Sequence, residues 1–268
     1  MIMKNQILSS IFALMFFMPF VLSGQDTPKE GVGAVIVINL EGKVSLLGKT
    51  DLEQATFPKV GEVLPKGRFL QTEEGAKATL LLSNGTLLTV QEKTKMKVGS
   101  FEQVPFDANG RKVSDLEGEP SNSKVELDLD FGSMVVKTKK LKKGSSFNIN
   151  TPVGTAGIRG TEFQLAQNPG AGVQLDVTES TVAFTPPGGQ PTPVTQGQGL
   201  DVSSTGQVAP RPVNPTVAQN ISNTNQVATE VSADISLDTV SDAMTESAEM
   251  SAETDSSGDS NDGEGEGD

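Results

Sequence analysis

Three carboxylates, Glu126, Asp128 and Asp130, alternate with Val125, Leu127, Leu129 and Phe131. On a strand they would stand on one face about 6.7 Å apart, a separation that glycosidase carboxylates also use. The same alternation describes a solvated strand face, the reading favoured here, and the chain has no Trp or Tyr with which to stack a sugar ring. Neither His nor Cys occurs, which removes the commonest general base, the thiol nucleophile and most zinc sites. Gly48-Lys49-Thr50 has the ending of a phosphate-binding loop. The first glycine of that motif would fall at Lys43, and no apolar helix follows. Gly154, Gly157 and Gly160 are spaced by three and do not make a dinucleotide fingerprint.

Lys137, Lys139, Lys140, Lys142 and Lys143 form a concentrated basic patch. It could meet an anionic envelope component or lipid headgroups, or it is a solvated strand end paired in part with Glu126 and Asp128. The acidic stretch from Asp255 to Asp268 lacks the ligand order of a calcium loop and reads as a solubilising tail. No catalytic residue, cofactor or metal ligand is assigned, and a carboxylate-dependent hydrolase ranks last among the functions considered.

The elements that would position these residues are strands. Residues 32–48 read as two short strands around Glu41-Gly42. Ala78 to Val90 reads as a hairpin about Asn84-Gly85, with Leu82 opposite Leu87 and Leu81 opposite Leu88. Both faces of that hairpin are apolar, so it should be central and covered on both sides. Residues 101–124 are rich in Pro, Gly, Asp and Ser and read as a surface excursion with room for a small hairpin at Asn109-Gly110. Gly132-Ser133 suits a two-residue turn that would set Leu129 against Val136, Asp128 against Lys137 and Glu126 against Lys139. Further short strands follow to about residue 206. The fold class expected is all-β, with short, mostly antiparallel strands forming a sandwich, barrel or solenoid.

The two ends differ from this middle. Residues 1–24 read as a secretory signal, with Lys4 ahead of an apolar run from Ile7 to Leu22 and small Ser23 and Gly24 at the cleavage point, so the mature chain would start near Gln25. The run is short for a spanning helix and contains Pro19. With no cysteine for disulfides, an exported chain must rely on its core. Residues 207–268 hold 13 acidic residues and one basic one, Arg211, leaving 20 basic against 21 acidic elsewhere. That segment reads as a mostly disordered acidic tail, with Val217/Ile221, Val227/Val231 and Val240/Met244 marking a weak, transient helix.

The run Phe147-Asn148-Ile149-Asn150-Thr151-Pro152-Val153-Gly154-Thr155-Ala156-Gly157-Ile158-Arg159-Gly160-Thr161-Glu162-Phe163 resembles the signature of FecR-type domains, and Gly61 to Gly67 resembles that family's Gly-x-x-Leu-x-x-Gly turn. The resemblance covers about 32–206 and implies an extracytoplasmic, non-enzymatic β-domain with a β-helix-like roll. A protein or an anionic envelope component is the expected partner; export argues against nucleic acid, and no later stretch approaches membrane length, so no stable membrane span is expected after signal cleavage. The resemblance also implies localisation in the periplasm, at the cell surface or outside the cell. The family's anti-sigma segment has no counterpart ahead of the apolar run, so a binding, sensory or scaffolding role is expected, with a structural surface or matrix protein as the alternative. Within the signature, Thr151, Pro152, Gly154, Gly157, Gly160 and Thr161 suit backbone roles. Arg159 would either donate to neighbouring carbonyls from its planar fork, the structural role favoured at this stage, or mark the partner site.

Overall fold

The computed structural model describes residues 31–48 and 54–256, so the expected signal segment 1–24 lies outside the described residues. The strands run in chain order as β1 (Gly31–Val32), β2 (Val35–Glu41), β3 (Val44–Leu47), β4 (Phe69–Thr72), β5 (Lys77–Leu82), β6 (Leu87–Val90), β7 (Thr94–Gln103) and β8 (Ser123–Lys137). They continue as β9 (Ser146–Thr151), β10 (Gly154–Ile158), β11 (Glu162–Asn168), β12 (Gly172–Glu179), β13 (Thr181–Thr185), β14 (Thr192–Thr195), β15 (Gln198–Ser203) and β16 (Val208–Pro212). Two helices follow, α1 (Pro215–Ser232) and α2 (Leu237–Ser256). The protein is thus mostly β, and its strands pair antiparallel apart from the parallel β8–β9 pair.

The sheet curls around one interior because strand after strand alternates. In β8, Val125, Leu127 and Leu129 are buried while Glu126, Asp128 and Asp130 face outward, and β9 repeats this with Phe147 and Ile149 against Asn148 and Asn150. Phe163, Leu175, Phe184 and Leu200 complete the interior from β11, β12, β13 and β15. Each such side chain contributes roughly 1.5–3 kcal/mol on burial, which is how a chain without disulfides can hold its shape.

The 15-residue β8 is the spine of the roll. Its first half pairs with β7 and β9, and its second half with β6 and β11. This corrects the expected turn at Gly132-Ser133. Gly132 has φ 97° and passes so close to Thr94 that a Cβ would lie 2.4 Å from its Cα. The glycine bends one continuous strand from one half of the sheet into the other, and a bend and a turn carry the same sequence signal. Leu129 therefore lies opposite Met96, Asp128 opposite Lys97, and Lys137 opposite Glu162.

The β5–β6 hairpin forms as expected but one residue out of register, with Leu81 opposite Leu87 and Leu80 opposite Leu88. Its loop is three residues long: Leu82 N–H donates to Thr86 O at 2.9 Å, Gly85 takes φ 85°, and buried Asn84 bonds Thr86 N and Ser123 Oγ. Both faces are covered. Leu80, Leu82 and Leu88 enter the main core, and Leu81 and Leu87 join Ala34, Ile36 and Val63 in a second cluster on the outside of the sheet.

The segment 207–256, expected to be mostly disordered, covers that second cluster. β16 adds an edge to β15, and the helices lay Ala228, Leu237, Val240, Ala243 and Met244 over Leu81 and Ile36. Val240/Met244 and Ile221 point inward, whereas Val227 and Val231 stay 46% and 40% exposed. Asn214 caps α1 by accepting from Thr216 N–H, and Pro215 opens the helix. The excursion 104–122 forms no hairpin. It contains a single 3-10 turn and contributes Ala108, Val113 and Leu116 to the cover, while Val113 N–H donates to Ile235 O and Leu237 N–H to Arg111 O. An apolar outer face at β2, β5 and β6 requires such a cover, and the chain's own C-terminal segment supplies it.

Candidate functional site

The β9–β10–β11 stretch contains the signature, and nearly all of its marked residues are used by the fold. Thr151 Oγ1 donates to Gly154 O at 2.7 Å and accepts from Val153 N–H, closing the turn in which Pro152 is exposed. Gly154 has φ 146°, and a Cβ there would lie 2.5 Å from Thr185 O. Gly160 has φ 98° and abuts the backbone of Lys140, while buried Thr161 receives the N–H of Thr138 on its carbonyl. Gly157 is different: a Cβ would meet Asn148 Oδ1 at 3.5 Å, an ordinary contact. Its missing side chain therefore leaves open space.

That space is a cavity of about 410 Å³ on the outer face of the roll, lined among others by Ser146, Asn148, Gly157, Arg159, Thr181 and Ala183. The cross-strand row Asn148–Gly157–Ala183 forms its middle, and buried Phe147 and Ile158 lie beneath. Asn148 is held from the side, its Nδ2 donating to Glu126 Oε1 at 2.8 Å. Its Oδ1 remains over Gly157. Arg159 stands at the rim, exposed, with no hydrogen bond or ion pair to any described residue. The expected bonding of its guanidinium to neighbouring carbonyls is absent among the described residues: Arg159 directly follows the end of β10, and its side chain is exposed. Arg159 is the signature residue that the fold leaves unused.

The other sequence candidates are tied into the surface. Asp128 meets Lys97 at 3.5 Å and accepts from Asn150, Asp130 meets Lys95 at 3.2 Å, and Glu126 accepts from Asn148 and Asn150. These carboxylates form a cross-strand polar ladder, in which Lys95 also lies 4.0 Å over the Phe69 ring. The five lysines differ in their surroundings. Lys137 pairs with Glu162 at 3.0 Å and Lys139 donates to Leu116 O, whereas Lys140, Lys142 and Lys143 are exposed, Lys142 donating to Pro120 O. Burial, reinforced by the charge of Lys137, holds the Lys139 ammonium below its ordinary pKa. Among the described residues no group of three or more His, Cys, Asp or Glu is placed to hold a metal ion.

Sequence reasoning missed a second constellation. Arg211 on β16 bonds both oxygens of buried Asp176 on β12 and one of Asp201 on β15. Asp176, then Asp201, raises the guanidinium pKa further above its already high value. Asp176 also accepts from Asn214 N–H, the cap of α1. The one signal available was that Arg211 is the sole basic residue in the last part of the chain.

Comparison with known proteins agrees with the signature. Residues 68–183 match the family FecR protein. Two crystal structures, at 1.65 and 2.50 Å, of a Parabacteroides distasonis protein provisionally assigned as an anti-sigma factor are similar, each with 15% identity and a TM-score of 0.43. The alignments cover 59% of this chain and 64% of those chains, so the chain spans less than two thirds of their length. No curated protein matches. The matched span begins one residue before β4 and ends within β13, enclosing the β8 spine, the signature turn and the Arg159 cavity; residues 68–183 of this chain are a FecR-type domain.

Proposed function

We propose that the protein is an exported, non-enzymatic module of the bacterial cell envelope that binds a protein partner in signal transduction, through the uncovered sheet face around Arg159. The observation that carries this is the contrast within one signature. Thr151, Gly154 and Gly160 are consumed by turns and close approaches, whereas Arg159 is exposed and unpaired among the described residues beside an open depression. A guanidinium with five free donors recognises carboxylates in bidentate fashion, and the hydroxyl and amide groups of Ser146, Asn148 and Thr181 would fix orientation. The partner is accordingly a protein segment bearing Asp or Glu. Export rests on residues 1–24, and among the described residues no helix is long and apolar enough to cross a membrane. The name borne by the similar structures is in keeping with a signalling role.

The test is quantitative capture of partners from envelope extract by the wild-type protein and by Arg159→Ala, with both proteins checked for an equal melting temperature. A partner retained by the wild type and lost by the variant supports the proposal. An identical set captured by both refutes the assignment of Arg159.

A further inference from the structure

One end of the roll buries a row of threonines whose hydroxyls the fold does not use. The row Leu88–Val136–Phe163 faces the main core, the next row sets Lys137 against Glu162 on the outside, and one step further stand Thr86, Thr138 and Thr161. Strand alternation turns these three inward again, one each from the β5–β6 loop, the end of β8 and the turn into β11. Their exposures are 0%, 8% and 1%. The backbones are bonded, Leu82 N–H donating to Thr86 O and Thr138 N–H to Thr161 O. The hydroxyls are not: all three Oγ1 atoms are buried without a partner among the described residues. We infer that ordered water lies on the inner side of this row and bridges the three hydroxyls, which gives the signature residue Thr161 a ligand of its own.

Spacing and chemistry both single out water. Side chains opposite each other on antiparallel strands stand about 4.5–5.5 Å apart, and two hydrogen bonds of about 2.8 Å meeting at a water oxygen at a tetrahedral angle span about 4.6 Å. Each hydroxyl has one proton to donate and lone pairs with which to accept. The row carries no charge, so a neutral molecule that both donates and accepts matches it. The neighbouring buried polar groups show how the fold completes such bonds elsewhere at this end. Asn84 bonds Thr86 N–H and Ser123 Oγ, Ser123 and Ser145 donate to Glu119, and Gln103 bonds Ser83 and Ser121. Three adjacent hydroxyls left outside that network would each oppose folding. A bridging water satisfies them and ties the β5–β6 loop to the end of β8 and the start of β11.

Valine keeps the branching of threonine and removes the hydroxyl. Thr86→Val, Thr138→Val, Thr161→Val and the Thr86→Val/Thr138→Val double variant are melted as full chains beside wild type, and the wild type is crystallised to a resolution that shows water. Replacing an unpaired buried hydroxyl raises the melting temperature, whereas replacing a bridged one lowers it. The expected result is a fall of about 2–4 °C for each single variant, a fall for the double variant smaller than the sum of its two singles, and water density bonded to Thr138 Oγ1. If a valine variant does not fold, the wild-type crystal structure alone decides. Valine variants that melt at or above wild type, losses that add in full, or a crystal structure with a metal ion or no solvent within hydrogen-bond reach of Thr138 Oγ1 would each overturn the inference.

Discussion

Arg211 and Asp176 face each other in a two-pronged ion pair, Nη1 to Oδ1 at 2.6 Å and Nη2 to Oδ2 at 2.8 Å, that joins the last strand of the roll to a buried carboxylate on β12. Gly199 makes this possible, since a Cβ there would lie 2.1 Å from Arg211 Nη1. The pair does more than close an edge. Asp176 also accepts from Asn214, so the residue that starts α1 is positioned by the same carboxylate.

Arg211→Ala should therefore cost about 2–4 kcal/mol, because it leaves Asp176 buried with one backbone donor and no counter-ion. Arg211→Lys should recover less than half of the loss, lacking the planar fork. Urea unfolding of the variants beside wild type measures both, and a cost below about 0.5 kcal/mol for the alanine variant would show that the pair is only surface decoration.

The helical segment formed by α1 and α2 should be a folded part of the molecule. Ile221→Ala is expected to destabilise by about 2–4 kcal/mol, and a chain ending at Val213 should melt well below the full chain because Leu81 and Leu87 lose their cover. Calorimetry of the two proteins decides this. Unchanged melting after truncation would return the segment to the status of a loose tail.

How far these features were legible in the sequence depends on the kind of signal. Alternation placed Leu127 and Leu129 on one face and Glu126 and Asp128 on the other, since the strand period leaves no other choice. The two-sided apolarity of Leu80, Leu81 and Leu82 announced a cover. The cover itself was hidden, because α1 buries Asn225, Ala228 and Ser232, residue types that read as solvent-facing, and leaves two valines outside. Gly132 was visible as a special position, but a bend into a second sheet half and a hairpin turn need the same glycine. At Asn84-Gly85 the turn was right and the register was one residue off, because a buried asparagine side chain stabilises a three-residue loop. Arg159 stood out by type and place, and only the fold could show that nothing satisfies it.

Gly132→Ala should be severely destabilising, by about 3 kcal/mol or more, since both the positive φ and the approach to Thr94 exclude a side chain. Chemical denaturation checks it. A mild effect would imply that β8 can straighten without breaking its pairing to β6 and β11.

The Lys139 ammonium, held below its ordinary pKa by burial and then by Lys137, gives a signed pH effect. The folded chain releases this proton at lower pH than the unfolded chain, so the contribution of this group to stability rises as pH climbs through the folded value toward about 10.4. Subtracting the unfolding free energy of Lys139→Met from that of wild type across about pH 8 to 11 isolates the effect. The difference should shift in favour of wild type with increasing pH, and a flat or falling difference would contradict the buried environment.

The measurement closest to the central claim is the pair of thermal unfolding and partner capture on Arg159→Ala. An exposed guanidinium with no bond to the fold predicts a melting temperature within about 1 °C of wild type, together with loss of the captured protein and little rescue by Arg159→Lys. A melting temperature lower by many degrees, or full capture by the variant, would contradict the assignment of Arg159 as the contact residue of this FecR-type domain.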